Sequence, residues 1–466
     1  MAEGRVRVGV VLDAWIFDSY PEADGMRVWV IDANGTPHSF LDPWGPAFYI
    51  GEKNLSRASR LLAPFPTRKV ERLELFSGKT LPVLEVRTPP RKRDPLVARL
   101  KRMGLTLYSA DMHLAQTWHY ERGHFPLAFC SFEVERTILS GVEGLLLRNW
   151  ELKDDPWAID YALPPLKTAH LALSGSGVAG KVDPNHALRG NLVFSMDGST
   201  YELEGPMEEQ LESLAHHLAV SDPDVITSEW GDSILLPGLE LLSQRHGVPV
   251  PFSRDESLGM GKRGERSFYT YGRTVYQNSA RYLHGRWHLD LENSFMLKET
   301  GTDGLFEIAR IARIPVQRAA RCTIGTSLSS MQMAQAWKDG VLIPMDKQQA
   351  EEFRTAADLL VADKGGLAYE PDVGWHENVA EFDFVSMYPA MMVQHNISPE
   401  TVNCPCCPDA EPVPEIGHRL CTRRQGLIPK VLAPILIKRA IYKVLAKGGR
   451  IENLESRIEN RESRCL

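Results

Sequence analysis

A chain of 466 residues, 43% hydrophobic and 24% charged, has globular composition and length for roughly three domains, which excludes a disordered, collagenous or coiled-coil protein. Its 53 Lys and Arg against 60 Asp and Glu give a formal net charge of −7. No apolar run approaches the ~18 residues that span a bilayer, so no membrane contact and a cytoplasmic location are expected.

RVRVGVVLDAWIF, MRVWVIDANGTPHSF and TLPVLEVRTPP read as strands, the second turning at Asn34-Gly35 and the third closed by Pro89-Pro90. Across residues 87–102 seven basic residues meet one acid, Asp94, which is either a polyanion-binding face or a solvated helix. A helix over about 111–122 ends at Gly123, and His124-Phe125-Pro126 reads as a boundary. TAHLALSG, GNLVFSMDGSTYELEG, PMEEQLESLAHHLAV and PDVITSE then alternate strand and helix, which predicts an α/β layer. After Leu305 the pattern turns helical until Gly365-Gly366. The last hundred residues predict one strand, NVAEFDFVSMY, a loop, NCPCCPDAEPVP, and a basic helical stretch from 428 onward broken at Gly448-Gly449. Residues 419–464 carry twelve basic residues and four acids.

Most chemistry is concentrated in EFDFVSMYPAMMVQHNISPET. Period-2 alternation places Glu381, Asp383 and Val385 on one strand face, and the strand turns into a helix at Ser386-Met387-Tyr388-Pro389. A carboxylate beside a helix start suits a metal-bridged phosphate. The string closely resembles motif A of family B DNA polymerases, including the His395-Asn396-Ile397-Ser398-Pro399-Glu400-Thr401 tail. Lys364-Gly365-Gly366 is similar to the family's DNA-contacting Tyr-x-Gly-Gly loop, with Asp363 where the Tyr would stand. Arg439 and Lys443, at i and i+4, resemble the Arg-x-x-x-Lys of its fingers helix.

The resemblance implies a fold of α/β and α+β domains. These are a β-rich N-terminal domain at 1–129 to which 303–348 returns, an RNase H-like exonuclease-type domain at 130–302, a partial palm at 349–430 and the start of the fingers at 431–466. It implies DNA synthesis from dNTPs on primer-template DNA. Asp383 and the Phe384 carbonyl would hold Mg²⁺ or Mn²⁺, while Ser386, Met387, Tyr388, Arg439 and Lys443 would bind the nucleotide.

Two departures qualify this. The positions resembling the family's exonuclease carboxylates hold Ala172, Ser174 and Leu235, and Trp230 stands at the Asn, so the exonuclease is expected to be inactive. Asp290 alone cannot hold two metals. Motifs B and C, the latter carrying the second metal carboxylate, have no counterpart. A second polypeptide is therefore expected to supply them and the rest of palm, fingers and thumb, with the chain inactive without it. A non-catalytic DNA-binding or scaffold protein is the alternative. The seven cysteines do not suggest a secreted disulfide framework. Cys404, Cys406, Cys407 and Cys421 match zinc in ligand type, but the irregular spacing, the stiffening Pro405 and Pro408, and relatives that keep cysteines here without zinc weigh against a metal.

Overall fold

The computed structural model describes residues 9–139, 142–174, 190–270, 273–345, 353–362, 370 and 372–448. Two compact units emerge, one of residues 1–47, 87–98 and 112–331, the other of 48–86, 99–111 and 332–466.

Alternation in the strand Gly9–Pro21 turns Val10, Leu12, Ala14 and Ile16 into one core, and Met26, Val28 and Val30 of Met26–Asp32 join them. With Pro37–Asp42, Phe129–Leu139 and Val142–Leu152 these strands close into a barrel, which leaves no open sheet edge. The expected hairpin turn is present, with Gly35 at φ 78°. The helix Leu114–Arg122 ends at Gly123, φ 81°, and its fully buried Trp118 donates to Asp42 Oδ2 at 2.8 Å. Phe125, read from sequence as part of a boundary, lies fully buried in the same core.

The second sheet of this unit runs Ser199–Leu203, Leu192–Met196, Thr168–Leu173, Val225–Ser228, Trp287–Asp290. The first three strands are antiparallel and the last two run parallel to Thr168–Leu173, an RNase H-like order. Parallel pairs need crossovers. The helices Met207–Ser221 and Leu236–His246 provide them, burying Leu211, Leu214, Leu218, Leu236 and Leu239 against Ala169, Leu171, Phe194 and Ile226.

In the other unit, Thr67–Leu73, Thr80–Arg87, Ala47–Gly51 and Leu107–Tyr108 form a sheet around Tyr49, Val83 and Leu342. Its C-terminal part carries the helices Ala356–Ala362, Met387–Gln394 and Leu427–Leu445. The mixed α/β class with a β-rich N-terminal region is therefore what the chain has.

Two expectations are corrected here. NVAEFDFVSMY is not a strand: residues 379–384 carry no regular structure, and among the described residues no strand pairs with them. A strand is held by ladder hydrogen bonds and a covered face, and here Phe382, Phe384 and Val385 are 93%, 76% and 74% exposed. Glu381, Asp383 and Val385 therefore share no sheet face. The basic stretch 87–102 is mostly the helix Pro90–Arg102, and it is not uniformly a polyanion face. Arg93 is buried and donates to the Met112 carbonyl at 2.6 Å and to Asp94 at 2.8 Å. Arg87 bonds the Gly45 carbonyl at 3.0 Å and also pairs with Glu121.

Candidate active site

The turn at Ser386 is where motif A takes definite shape. Ser386 sits in the left-handed region at φ 52°, directly before the helix Met387–Gln394. The helix Leu427–Leu445 packs against that helix and carries Arg439 and Lys443 on one exposed face. The Arg439 guanidinium donates to Ser386 Oγ, so this cation and the Ser386 turn, 53 residues apart, are brought together. Lys443 stands one turn further on. Asp383, Phe384 and Tyr388 are exposed beside this turn. Lys364, Gly365 and Gly366 lie outside the described residues.

Asp383 offers one carboxylate. Among the described residues, no group of three or more metal-capable side chains gathers around it. One carboxylate and a carbonyl suit Mg²⁺, which commonly keeps waters and takes other oxygens from substrate phosphates.

The HNISPET tail has a role that sequence reading missed. Asn396 Oδ1 accepts the N–H of Gly426 at 2.7 Å, Glu400 Oε1 that of Leu427 at 2.5 Å, and Ser398 Oγ that of Ile428 at 3.3 Å. These are the first orphan donors of the helix bearing Arg439, so the tail is its cap. Ser398 in turn donates to Glu400 Oε2 at 2.6 Å, and Thr401 Oγ1 to the Asn396 carbonyl at 2.6 Å. Gly426 is required by space, since a Cβ there would lie 2.6 Å from that of Ser398.

Four sulfurs lie in the same unit. Cys404, Cys406, Cys407 and Cys421 all fall within 4.8 Å of one another, a convergence that their irregular spacing did not suggest.

The positions expected to be degenerate lie in and beside the RNase H-like sheet. Ala172 pairs across strands with Val193, and Ser174 Oγ accepts the Asn191 N–H at 2.9 Å. Leu235 is buried in the sheet's apolar core. Trp230, at φ 54°, precedes the turn Gly231–Leu235. A Cβ on Gly231 would meet Ser228 Oγ at 1.9 Å and His288 Nε2 at 2.4 Å, which forces glycine there. Asp232 and Asp290, beside that turn, are fully buried. Asp290 accepts backbone N–H groups from Trp230, Asp232, Glu292 and Asn293 at 2.9–3.3 Å, stapling the last strand to that turn. Asp232 is held by Arg321 at 2.7 and 2.9 Å, with Asn293 Nδ2 at 2.7 Å. Burial opposes the Asp232 charge, but Arg321 and His288 outweigh it and hold its pKa below the ordinary carboxylate range. Burial, joined by the Asp232 charge, raises that of Asp290. The Arg321 guanidinium therefore neutralises Asp232. Asp232 and Arg321, 89 residues apart, follow no spacing rule that would have revealed the pair.

Among the described residues, no helix is long and apolar enough to cross a membrane. The family model for DNA polymerase family B matches residues 314–461. The chain is 36% identical over 140 residues to DNA polymerase 2 of Saccharolobus solfataricus, covering 30% of this chain and 22% of that protein. It is 25% identical over 301 residues to DNA polymerase 1 of Pyrococcus abyssi, covering 55% and 39%. To a DNA polymerase of Archaeoglobus fulgidus it is 30% identical over 169 residues, covering 36% and 20%. The matches thus span well under half of these relatives' length. The solved family B DNA polymerase from the hyperthermophilic archaeon Pyrobaculum calidifontis superposes with a TM-score of 0.68 at 21% identity, over 97% of this chain and 66% of that one, so the fold is shared almost throughout. Residues 314–461 thus match the model of the family B DNA polymerases, and the chain shares its fold with a solved member of that family.

Proposed function

We propose that this chain contributes the incoming-nucleotide half of a DNA polymerase active site, transferring a nucleotidyl group from dNTP to a primer 3′-OH. The observation that carries this reading is the Arg439 contact to Ser386, which joins the fingers-type helix to the motif A turn. Asp383 and the Phe384 carbonyl would hold Mg²⁺ or Mn²⁺. That ion, when bound, offsets triphosphate charge and orients it for in-line attack. The backbone of Ser386, Met387 and Tyr388 cradles the phosphates, Arg439 and Lys443 neutralise them, and the Tyr388 ring excludes a ribose 2′-OH. Lys364, Gly365 and Gly366 contact DNA.

The second metal carboxylate and the fingers motif come, in this reading, from polypeptide outside these 466 residues, and the chain alone is inactive. In this reading the sheet between residues 168 and 290 is a structural exonuclease-like domain without nuclease activity; the barrel draws Phe129–Leu139 and Val142–Leu152 into the N-terminal domain expected at 1–129 with 303–348, and a palm at 349–430 leads to fingers at 431–466. The guanidinium on Asp232 supports this, because a carboxylate committed to a buried arginine is withdrawn from metal binding. The experiment is primer extension by the chain together with a polypeptide carrying motifs B and C, and its dependence on Asp383.

A further inference from the structure

We infer that Cys404, Cys406, Cys407 and Cys421 bind one Zn²⁺ ion, and that this ion fastens the segment capping the Leu427–Leu445 helix. The metal site stands independently of the polymerase reading. Tetrahedral zinc with Zn–S bonds of about 2.3 Å requires sulfurs about 3.8 Å apart. The separations here are 3.2 Å for Cys404 and Cys406, 3.5 Å for Cys406 and Cys421, 3.7 Å for Cys407 and Cys421, and 3.8 Å for Cys406 and Cys407. A disulfide needs about 2.05 Å, and all four are free thiols.

The surroundings favour a metal over ordinary packing. Cys404, Cys407 and Cys421 are buried, yet their cluster gains only Cys406 and Ala410 as further apolar members. A loop without leucine, isoleucine or phenylalanine at its centre has no core of its own, and small units of this kind are stapled by a metal or disulfides. Backbone donors also converge on the sulfurs: the Thr422 N–H reaches Cys407, and those of Arg423 and Arg424 reach Cys421. Such outer hydrogen bonds orient ligands and spread their charge. Four thiolates fill a tetrahedral shell and leave no position for water, which makes the ion structural. Soft sulfur ligands select zinc over magnesium or calcium.

The coupling to the cap is direct. The Cys421 carbonyl accepts from Asn396 Nδ2 at 2.8 Å, and the same Asn396 receives the Gly426 N–H. The Cys421 N–H donates to the Thr401 carbonyl at 2.9 Å. Fixing Cys421 therefore fixes Asn396 and Thr401, and through them the start of the helix that carries Arg439.

The test is metal analysis of the full chain purified under reducing conditions, with cobalt replacement and hydrogen exchange. One zinc per chain is expected, together with the thiolate charge-transfer and d–d absorption of tetrahedral cobalt after exchange. Cys407→Ser and Cys421→Ser should weaken cobalt binding by more than about 100-fold, above the range of an outer-shell change, while Cys465→Ser leaves it unchanged. Chelation of the wild-type chain, which needs no variant to fold, should speed exchange at Gly426, Leu427 and Ile428 and leave the barrel strands as they were. A metal-free reduced chain without a cobalt spectrum, iron in place of zinc, two disulfides by mass, or cobalt affinity unaffected by both serines would overturn the site. Unchanged exchange at 426–428 after complete metal removal would overturn the link to the helix cap.

Discussion

Replacing Arg321 by methionine keeps much of the side-chain volume and removes the charge, so it isolates what the buried guanidinium does for Asp232. Arg321 donates to both Asp232 oxygens at 2.7 and 2.9 Å, to the Gln317 carbonyl at 2.8 Å and to that of His288 at 3.1 Å. Both charged groups are fully buried. In the variant, Asp232 keeps Asn293 Nδ2 at 2.7 Å and the Arg281 N–H at 2.8 Å but loses its cation. An uncompensated buried charge costs about 3–5 kcal/mol, or roughly two to three and a half powers of ten in the folding equilibrium. Urea unfolding followed by circular dichroism should show a transition at lower denaturant for Arg321→Met, and Asp232→Asn/Arg321→Met should recover most of the loss. The pH dependence follows in sign: the folded pKa of Asp232 is depressed, so its contribution is present above the unfolded carboxylate pKa of about 3.9 and is lost as pH falls below it. If Arg321→Met unfolds within about 1 kcal/mol of wild type, below the range for a broken buried pair, the network is not structural. Recovery of the variant by Mn²⁺ would equally refute the argument, because it would show that Asp232 serves a metal.

Glu400→Ala removes the acceptor for the Leu427 N–H and should cost about 1–2 kcal/mol, seen as a lower Tm, whereas Glu400→Gln keeps an acceptor and should lose less. Asp18 is fully buried and accepts the Gly285 N–H at 2.9 Å; burial, only partly offset by that bond, raises its pKa to about 7. The folded state thus holds a proton that the unfolded state releases near pH 4, so wild-type stability should fall as pH rises from about 4 to 7 and Asp18→Asn should flatten that slope in pH-stepped denaturation. DNA binding should be sequence-independent and weaken steeply with salt, and in filter-binding titrations Lys92→Ala, on the exposed face, should reduce the log–log slope by about 1, while Arg87→Ala, whose partners are internal, leaves it unchanged.

Elements with their own periodicity were legible in the sequence. The first three barrel strands, the Asn34-Gly35 turn, the Gly123 helix stop and the strand-helix alternation after Thr168 all follow from local patterning and turn chemistry. Residues 379–384 read as a strand because they alternate correctly, yet alternation supplies only one side of a ladder, and among the described residues the other side has no counterpart. The turn at Ser386 into the helix Met387–Gln394 was legible because its residues are close in sequence. Contacts between distant residues were hidden: Arg321 with Asp232, and Glu400 with Leu427. Such contacts are set by the tertiary fold, and no local signal encodes them.

The central claim is that the Ser386 turn, with Asp383 and the Arg439 helix, forms the nucleotide half of a polymerase site. Primer extension tests it most directly, using the purified chain, a polypeptide carrying motifs B and C, a labelled primer-template and Mg²⁺-dNTP. Parallel reactions would use Asp383→Asn, and Asp24→Asn as an exposed control outside the site. Neither component alone should extend the primer; the mixture should extend it, lose extension with Asp383→Asn and keep it with Asp24→Asn. Extension by the mixture that is indifferent to Asp383→Asn would contradict it.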